Sequence, residues 1–188
     1  MKYTMLAAVA AVTTLSATAA HAGTLNAEVR LSDVRGGQAP DSTEYRVQWD
    51  APVAYGFTYG AEIQVKQRNN EGNLSSKISA KLGSELPEVL GFHTVAYGEV
   101  GRNLETGHNF EFWGAGVKTK RQVYGPVSVN VGYRHREGFK GVDGLNEERV
   151  NAGLGFSVTE NAVVGVNYYR TTGTTRQDAI GIGLTRTF

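Results

Sequence analysis

The chain has 188 residues, with 19 basic and 18 acidic side chains, 40% hydrophobic residues, 24 glycines and no cysteine. Charges this nearly balanced select no nucleic acid or other strongly charged partner. The lack of cysteine excludes a disulfide scaffold and any thiolate metal site, and the length suffices for one domain.

Met1 and Lys2 supply a positive start, Leu6 to Leu15 an apolar run, and Ala20-His21-Ala22 an A-x-A cleavage site. Together they predict a secretory signal peptide over residues 1–22 and a mature domain over residues 23–188. Loss of Lys2 with the signal leaves 18 basic against 18 acidic groups. No later segment approaches the roughly 18 apolar residues of a membrane-spanning helix. A bilayer crossing therefore has to be made by strands.

The rest of the chain is written in period two, the rhythm of a wall with a different solvent on each side. Leu25, Ala27, Val29 and Leu31 alternate with Asn26, Glu28, Arg30 and Ser32, and Tyr45, Val47 and Trp49 with Glu44, Arg46, Gln48 and Asp50. A third strand sets Tyr55, Phe57, Tyr59, Ala61, Ile63 and Val65 against Gly56, Thr58, Gly60, Glu62, Gln64 and Lys66, turning at Asn69-Asn70-Glu71-Gly72. The fourth sets Ile78, Ala80 and Leu82 against Lys77, Ser79 and Lys81. The fifth, near Leu90 to Val100, has the weakest alternation, with Val95 and Tyr97 on the face that Glu99 assigns to the lumen.

The sixth strand opposes Trp113, Ala115, Val117 and Thr119 to Phe112, Gly114, Gly116, Lys118 and Lys120, and the seventh Val127, Val129, Val131 and Tyr133 to Ser128, Asn130, Gly132, Arg134 and Arg136. Val150, Ala152, Leu154 and Phe156 mark the eighth, and Ala162, Val164, Val166 and Tyr168 the ninth. Ile180, Ile182 and Leu184 lead to the terminal Phe188 in the tenth. The expectation is an all-β, antiparallel, up-and-down transmembrane barrel of about ten strands, with eight or twelve as alternatives. Short turns are expected at Asp50–Ala54, Ser84–Val89, Tyr124–Pro126 and Thr159–Asn161. Longer outer loops are expected at Asp33–Ser42, Gln67–Asn73, Arg102–His108, Glu137–Glu147 and Thr171–Arg176.

Outward aromatics fall in two bands, as membrane interfaces favour. Trp49, Tyr55, Phe57, Phe92, Phe156 and Phe188 lie towards the periplasm, and Tyr45, Trp113, Tyr133 and Tyr168 towards the outside. With its terminal Phe188 and Leu184, Ile182 and Ile180 at alternate positions before it, the chain resembles the small bacterial outer-membrane β-barrels. That resemblance implies a bacterial outer-membrane location, contact with membrane lipid, and reading of the last strand by the barrel-assembly machinery. Arg186 stands where an aromatic or apolar residue is commoner in that family.

The same parity turns ten cations inward: Arg30, Arg46, Lys66, Lys77, Lys81, Lys118, Lys120, Arg134, Arg136 and Arg149. Five acids, Glu28, Glu44, Asp50, Glu62 and Glu99, accompany them. At least half of the cations then lack an obvious partner, and inward glycines such as Gly114, Gly116, Gly132, Gly153 and Gly181 remove side chains from the bore. The reading is a narrow, porin-like channel whose ten basic pore-lining residues favour small anionic solutes. The lysine- and arginine-rich lumen is also loosely similar to the small porins for acidic oligosaccharides.

The alternative is a non-conducting structural or anchoring barrel, because eight strands enclose only enough room for their own side chains and open channels are typical near sixteen. Catalysis is not expected. His135, the best candidate base, has Glu137 and no serine as its same-face neighbour, so it does not match the lipid A deacylase barrels; His93 and His108 have no companion at metal-ligand spacing. No cofactor, metal or nucleic-acid partner is expected. The longest outer loop, Glu137–Glu147, offers little area for adhesion against the roughly 800 Å² per partner of a standard interface.

Overall fold

The computed structural model describes residues 23–34, 42–68, 74–105, 109–139, 145–174 and 176–188. The expected signal peptide, the Asn69–Gly72 turn, His108 and most of the expected outer loops lie outside the described residues. Ten strands follow one another: β1 (Thr24–Val34), β2 (Ser42–Pro52), β3 (Phe57–Arg68), β4 (Leu74–Val89), β5 (Phe92–Glu105), β6 (Phe110–Tyr124), β7 (Val127–Gly138), β8 (Asn146–Thr159), β9 (Ala162–Gly173) and β10 (Gln177–Thr187). Each pairs antiparallel with its sequence neighbours, and β1 pairs with β10 to close the ring. Closure leaves no strand edge with unpaired amide groups, the condition for sheet in a hydrocarbon environment. At 11 to 16 residues the strands match or exceed the 9–11 that cross a bilayer.

At the seam, Leu25 to Leu31 face Arg186 to Ile180 in unbroken register, and the Phe188 amide donates to the Gly23 carbonyl at 2.9 Å. Arg186 lays its guanidinium over the Phe188 ring, 5.2 Å from its centroid. The unusual arginine thus covers the terminal aromatic with its own side chain, as long cationic residues do near a membrane interface.

Outward side chains form an apolar belt. Leu31, Leu82, Leu154 and Ile182 are each about 60% exposed, and Val29, Ile78, Val131, Val150 and Val166 stand with them. A soluble monomer seldom shows more than a few hundred Å² of continuous apolar surface, whereas this belt runs round a closed wall and needs hydrocarbon against it. Trp49 meets Tyr59 edge-on at 5.0 Å on this surface, and Trp113 meets His135 at 5.5 Å.

The turns correct two expectations. Ser84–Val89 is strand, and the reversal comes at Leu90-Gly91, whose φ of 53° and 76° suit a hairpin turn with both central residues in the left-handed region. Pro87, which lacks an amide hydrogen, sits where the β4–β5 ladder skips between Leu86 and Val89. The fifth strand starts at Phe92 and runs on to Glu105, beyond its expected end at Val100. Arg102 to Glu105, Glu147 and Thr171 to Gly173 likewise belong to strands, so the outer walls are taller than the sequence reading drew them.

Replacing Ile182 with Arg, on the lipid face level with Val29 and Val166, is expected to destabilise the folded barrel by about 2–4 kcal/mol. Urea titration in phospholipid vesicles measures the loss. An effect below about 0.5 kcal/mol would place this face in water.

Candidate functional site: the ionic crossbar and vestibule of the lumen

The lumen is built from the inward half of every strand, and its centre is Glu62 on β3. Arg46 on β2 donates to one carboxylate oxygen at 2.6 Å, and the Lys81 ammonium on β4 reaches the same oxygen. Across the barrel, four strands away round the ring, β7 supplies Arg134 at 3.1 Å and Arg136 at 2.9 Å to the other oxygen. Gln64 adds its amide at 2.5 Å. A carboxylate touched by four cations gathers positive side chains that would otherwise repel one another.

Further pairs extend this crossbar. Arg136, which is 1% exposed, also grips Glu99 with two nitrogens at 2.6 and 2.9 Å, the bidentate geometry that a planar guanidinium favours. Glu147 on β8 takes Arg149 at 3.1 Å, Arg134 at 3.4 Å and, from β4, Lys77 at 3.4 Å. Arg30 donates to Glu28 and Glu44, at 2.7 Å each, and lies 3.9 Å from the Tyr169 ring centroid, while the Tyr169 hydroxyl donates to Glu28 at 2.5 Å. Lys66 on β3 donates to the Gln177 amide oxygen on β10 at 3.0 Å, and Gln177 continues to Ser42.

All ten predicted cations point inward, but their surroundings differ from the sequence expectation. Eight of them, Arg30, Arg46, Lys77, Lys81, Lys118, Arg134, Arg136 and Arg149, hold a carboxylate, and Lys66 holds an amide. The expectation that half would face water unpaired is therefore corrected. Parity assigns faces and is blind to contacts across the bore. Glu147, which the sequence reading places at the end of a loop, is a further inward acid on β8; its spacing of two from Arg149 is the signal for it.

Gly132, Gly155, Gly165 and Gly183 border open volume, but the reading of Gly114 and Gly116 is corrected. A Cβ on Gly116 would lie 2.5 Å from the Tyr97 hydroxyl, one on Gly101 2.5 Å from the Phe112 ring, and one on Gly114 2.9 Å from Glu99. Their missing side chains make room for larger inward neighbours and do not widen a bore. Val95 and Tyr97 face inward on β5, as Glu99 predicted, and Lys81 and Arg136 lie over the rings of Tyr97 and Phe112 at 5.4 and 4.9 Å. Parity places both rings on the inward face, but it does not place them over the cations, because it assigns faces and not contacts.

The crossbar divides the lumen. On its outer side Ser42, Glu44, Asn103, Phe112 and Thr171 are buried. On its other side a cavity of about 460 Å³ reaches from Arg30, Arg134 and Arg149 to the strand ends near Thr24, Thr58 and Thr187. Both described chain ends lie on that side, the one that the sequence reading assigns to the periplasm. A separate ion pair crosses this vestibule: Lys118 on β6 donates to Asp50 on β2 at 2.9 Å, again four strands apart. Lys120 lines the mouth and is exposed. His135 stays outside against Trp113, 3.9 Å from Glu137. Among the described residues no group of three or more His, Asp or Glu side chains could hold a metal.

No protein-family model matches this sequence, and no curated protein matches it significantly. Solved structures do share its fold. The structure described as KdgM porin in complex with disordered oligogalacturonate is 11% identical with a TM-score of 0.53, covering 88% of this chain and 99% of that one. The translocator domain of the autotransporter NalP from Neisseria meningitidis is 13% identical with a TM-score of 0.53, covering 98% of each. The β-domain of the Bordetella autotransporter BrkA is 10% identical with a TM-score of 0.52, covering 89% of this chain and 99% of the other. With the closed ten-strand wall and its apolar belt, these likenesses establish the fold of a bacterial outer-membrane β-barrel.

Replacing Glu62 with Gln leaves the cations around it uncompensated and is expected to destabilise the barrel by about 3–5 kcal/mol. Replacing the exposed Lys120 with Gln should change stability by less than about 0.5 kcal/mol. Equilibrium unfolding in detergent compares the two; equal effects would remove Glu62 from its central place.

Proposed function

We propose that this protein is an outer-membrane barrel whose lumen is sealed by its own ion pairs, a structural or anchoring element of the envelope. The observation that carries this reading is the Glu62 crossbar, in which one β3 carboxylate is held from β2 and β4 on its own side and from Arg134 and Arg136 on the facing wall. Breaking such a buried arrangement without replacement costs several kcal/mol, so a passage through it opens only if the network rearranges. The mature wall begins at Gly23 in this reading, and its last strand, ending at Phe188, presents the barrel-assembly machinery with its recognition segment.

A second reading, a porin-like path for small anionic solutes, is favoured by one specific feature. Cations outnumber acids inside, and Lys118 and Lys120 extend that excess to the vestibule mouth. The shared fold with a porin described in complex with oligogalacturonate is compatible with it. In this reading the ten cations line the path, and the crossbar is the gate.

Planar-bilayer recording separates the two. Purified wild-type protein is expected to show no steady open level, whereas the double substitution Arg134→Ala/Arg136→Ala, which empties the β7 end of the crossbar, is expected to conduct. Steady, anion-selective steps from the wild type would overturn the sealed reading in favour of the porin-like one.

A further inference from the structure

We infer that the periplasmic vestibule is a dead-end binding site for a small multivalent oxyanion, a solute carrying phosphate or several carboxylate groups. The cavity has paired charge at its floor, where the cations hold carboxylates of the crossbar, and a cationic excess at its mouth. Its floor is formed by Arg30, Arg46, Lys81, Arg134 and Arg149, and its mouth carries Lys118 and Lys120. Glu28 and Asp50 are the acids that line it among the described residues. Low-dielectric walls around an aqueous pocket focus such a field and raise the local concentration of anions.

Three nitrogens at the floor make no hydrogen bond: Arg46 Nε, Arg134 Nε and Arg149 Nη1. Arg134 Nε and Arg149 Nη1 lie 4.0 and 3.8 Å from Glu99 and Glu44, and all three atoms are covered by their neighbours, so a solute engages these guanidinium groups only if they turn towards it. Arg134 and Arg149 are cross-strand neighbours on β7 and β8, and Arg46 on β2 borders the same volume from another part of the ring. Planar guanidinium forks suit phosphate and carboxylate oxygens better than they suit a halide. Between floor and mouth the wall carries neutral amides, Asn130, Asn151 and Asn167, able to bond the uncharged part of a solute. At about 460 Å³ the cavity lies within the range of small-molecule sites.

The Asp50–Lys118 bridge is the competitor built into this site. Asp50 places a carboxylate against a mouth lysine from the facing wall, and that side chain remains partly exposed. An entering oxyanion takes the place of Asp50 on Lys118. Asp50→Asn therefore strengthens binding, while loss of Lys118 and Lys120 weakens it, although all three substitutions lie outside the crossbar.

The test is isothermal titration calorimetry of the full barrel in zwitterionic detergent at low salt, with inorganic pyrophosphate in one arm and citrate in the other. Saturable one-site binding is expected in at least one arm, and the tighter arm identifies phosphate or carboxylate as the preferred group. Lys118→Gln/Lys120→Gln is expected to weaken it about tenfold, and Asp50→Asn to tighten it severalfold. Heat-modified gel mobility verifies that each variant is folded. Absence of saturable binding in both arms, or affinities unchanged in the folded variants, would overturn the proposal. Sealing is read by conductance and binding by heat, so either can fail while the other stands.

Discussion

A single buried carboxylate, Glu62, is the interaction on which the interior depends. Four cations from three strands converge on it, two of them from the far wall. Without it Arg46, Lys81, Arg134 and Arg136 would share a confined space as like charges, each with a large desolvation cost. With it they form a lattice that Glu99, Glu147, Glu44 and Glu28 continue towards the other walls. The barrel is thus held by two ladders, backbone hydrogen bonds round the circumference and ion pairs across the diameter.

The crossbar follows from the size of the ring. Ten strands enclose little more space than their own side chains fill, so an arginine reaching inward from β7 meets β3 and β5 before it meets bulk water. Small residues on the wall then become necessary. Gly101, Gly114 and Gly116 lie where Phe112, Glu99 and Tyr97 need the room, and the large neighbours in turn stack against the cations of the network. Long cationic side chains, inward rings and wall glycines are three parts of one packing solution.

The lumen's asymmetry along the barrel axis is as consequential as its charge. Polar groups on the outer side are buried and matched, whereas those towards the chain ends surround open volume with cations in excess. The same arginines serve both sides: Arg134 and Arg149 pair with Glu147 in the crossbar and also line the vestibule floor. A seal and a receptive pocket can therefore coexist in one small barrel.

The alternation of side chains already determined the kind of wall: an even count near ten strands, the faces of Val29, Leu154 and Ile182, the inward direction of all ten cations, and a closing strand that leads to Phe188. Those features are local, because a residue's face depends only on the two-residue repeat of its own strand. The turn at Leu90-Gly91 was less legible: Ser84–Val89 reads as a turn, whereas the strand runs through it and absorbs Pro87 as a skipped rung. What only the tertiary structure decided is which inward groups meet. Glu62 and Arg136 are 74 residues apart in sequence, and their contact is set by the circumference of the closed ring, a property of all ten strands together that no single strand encodes.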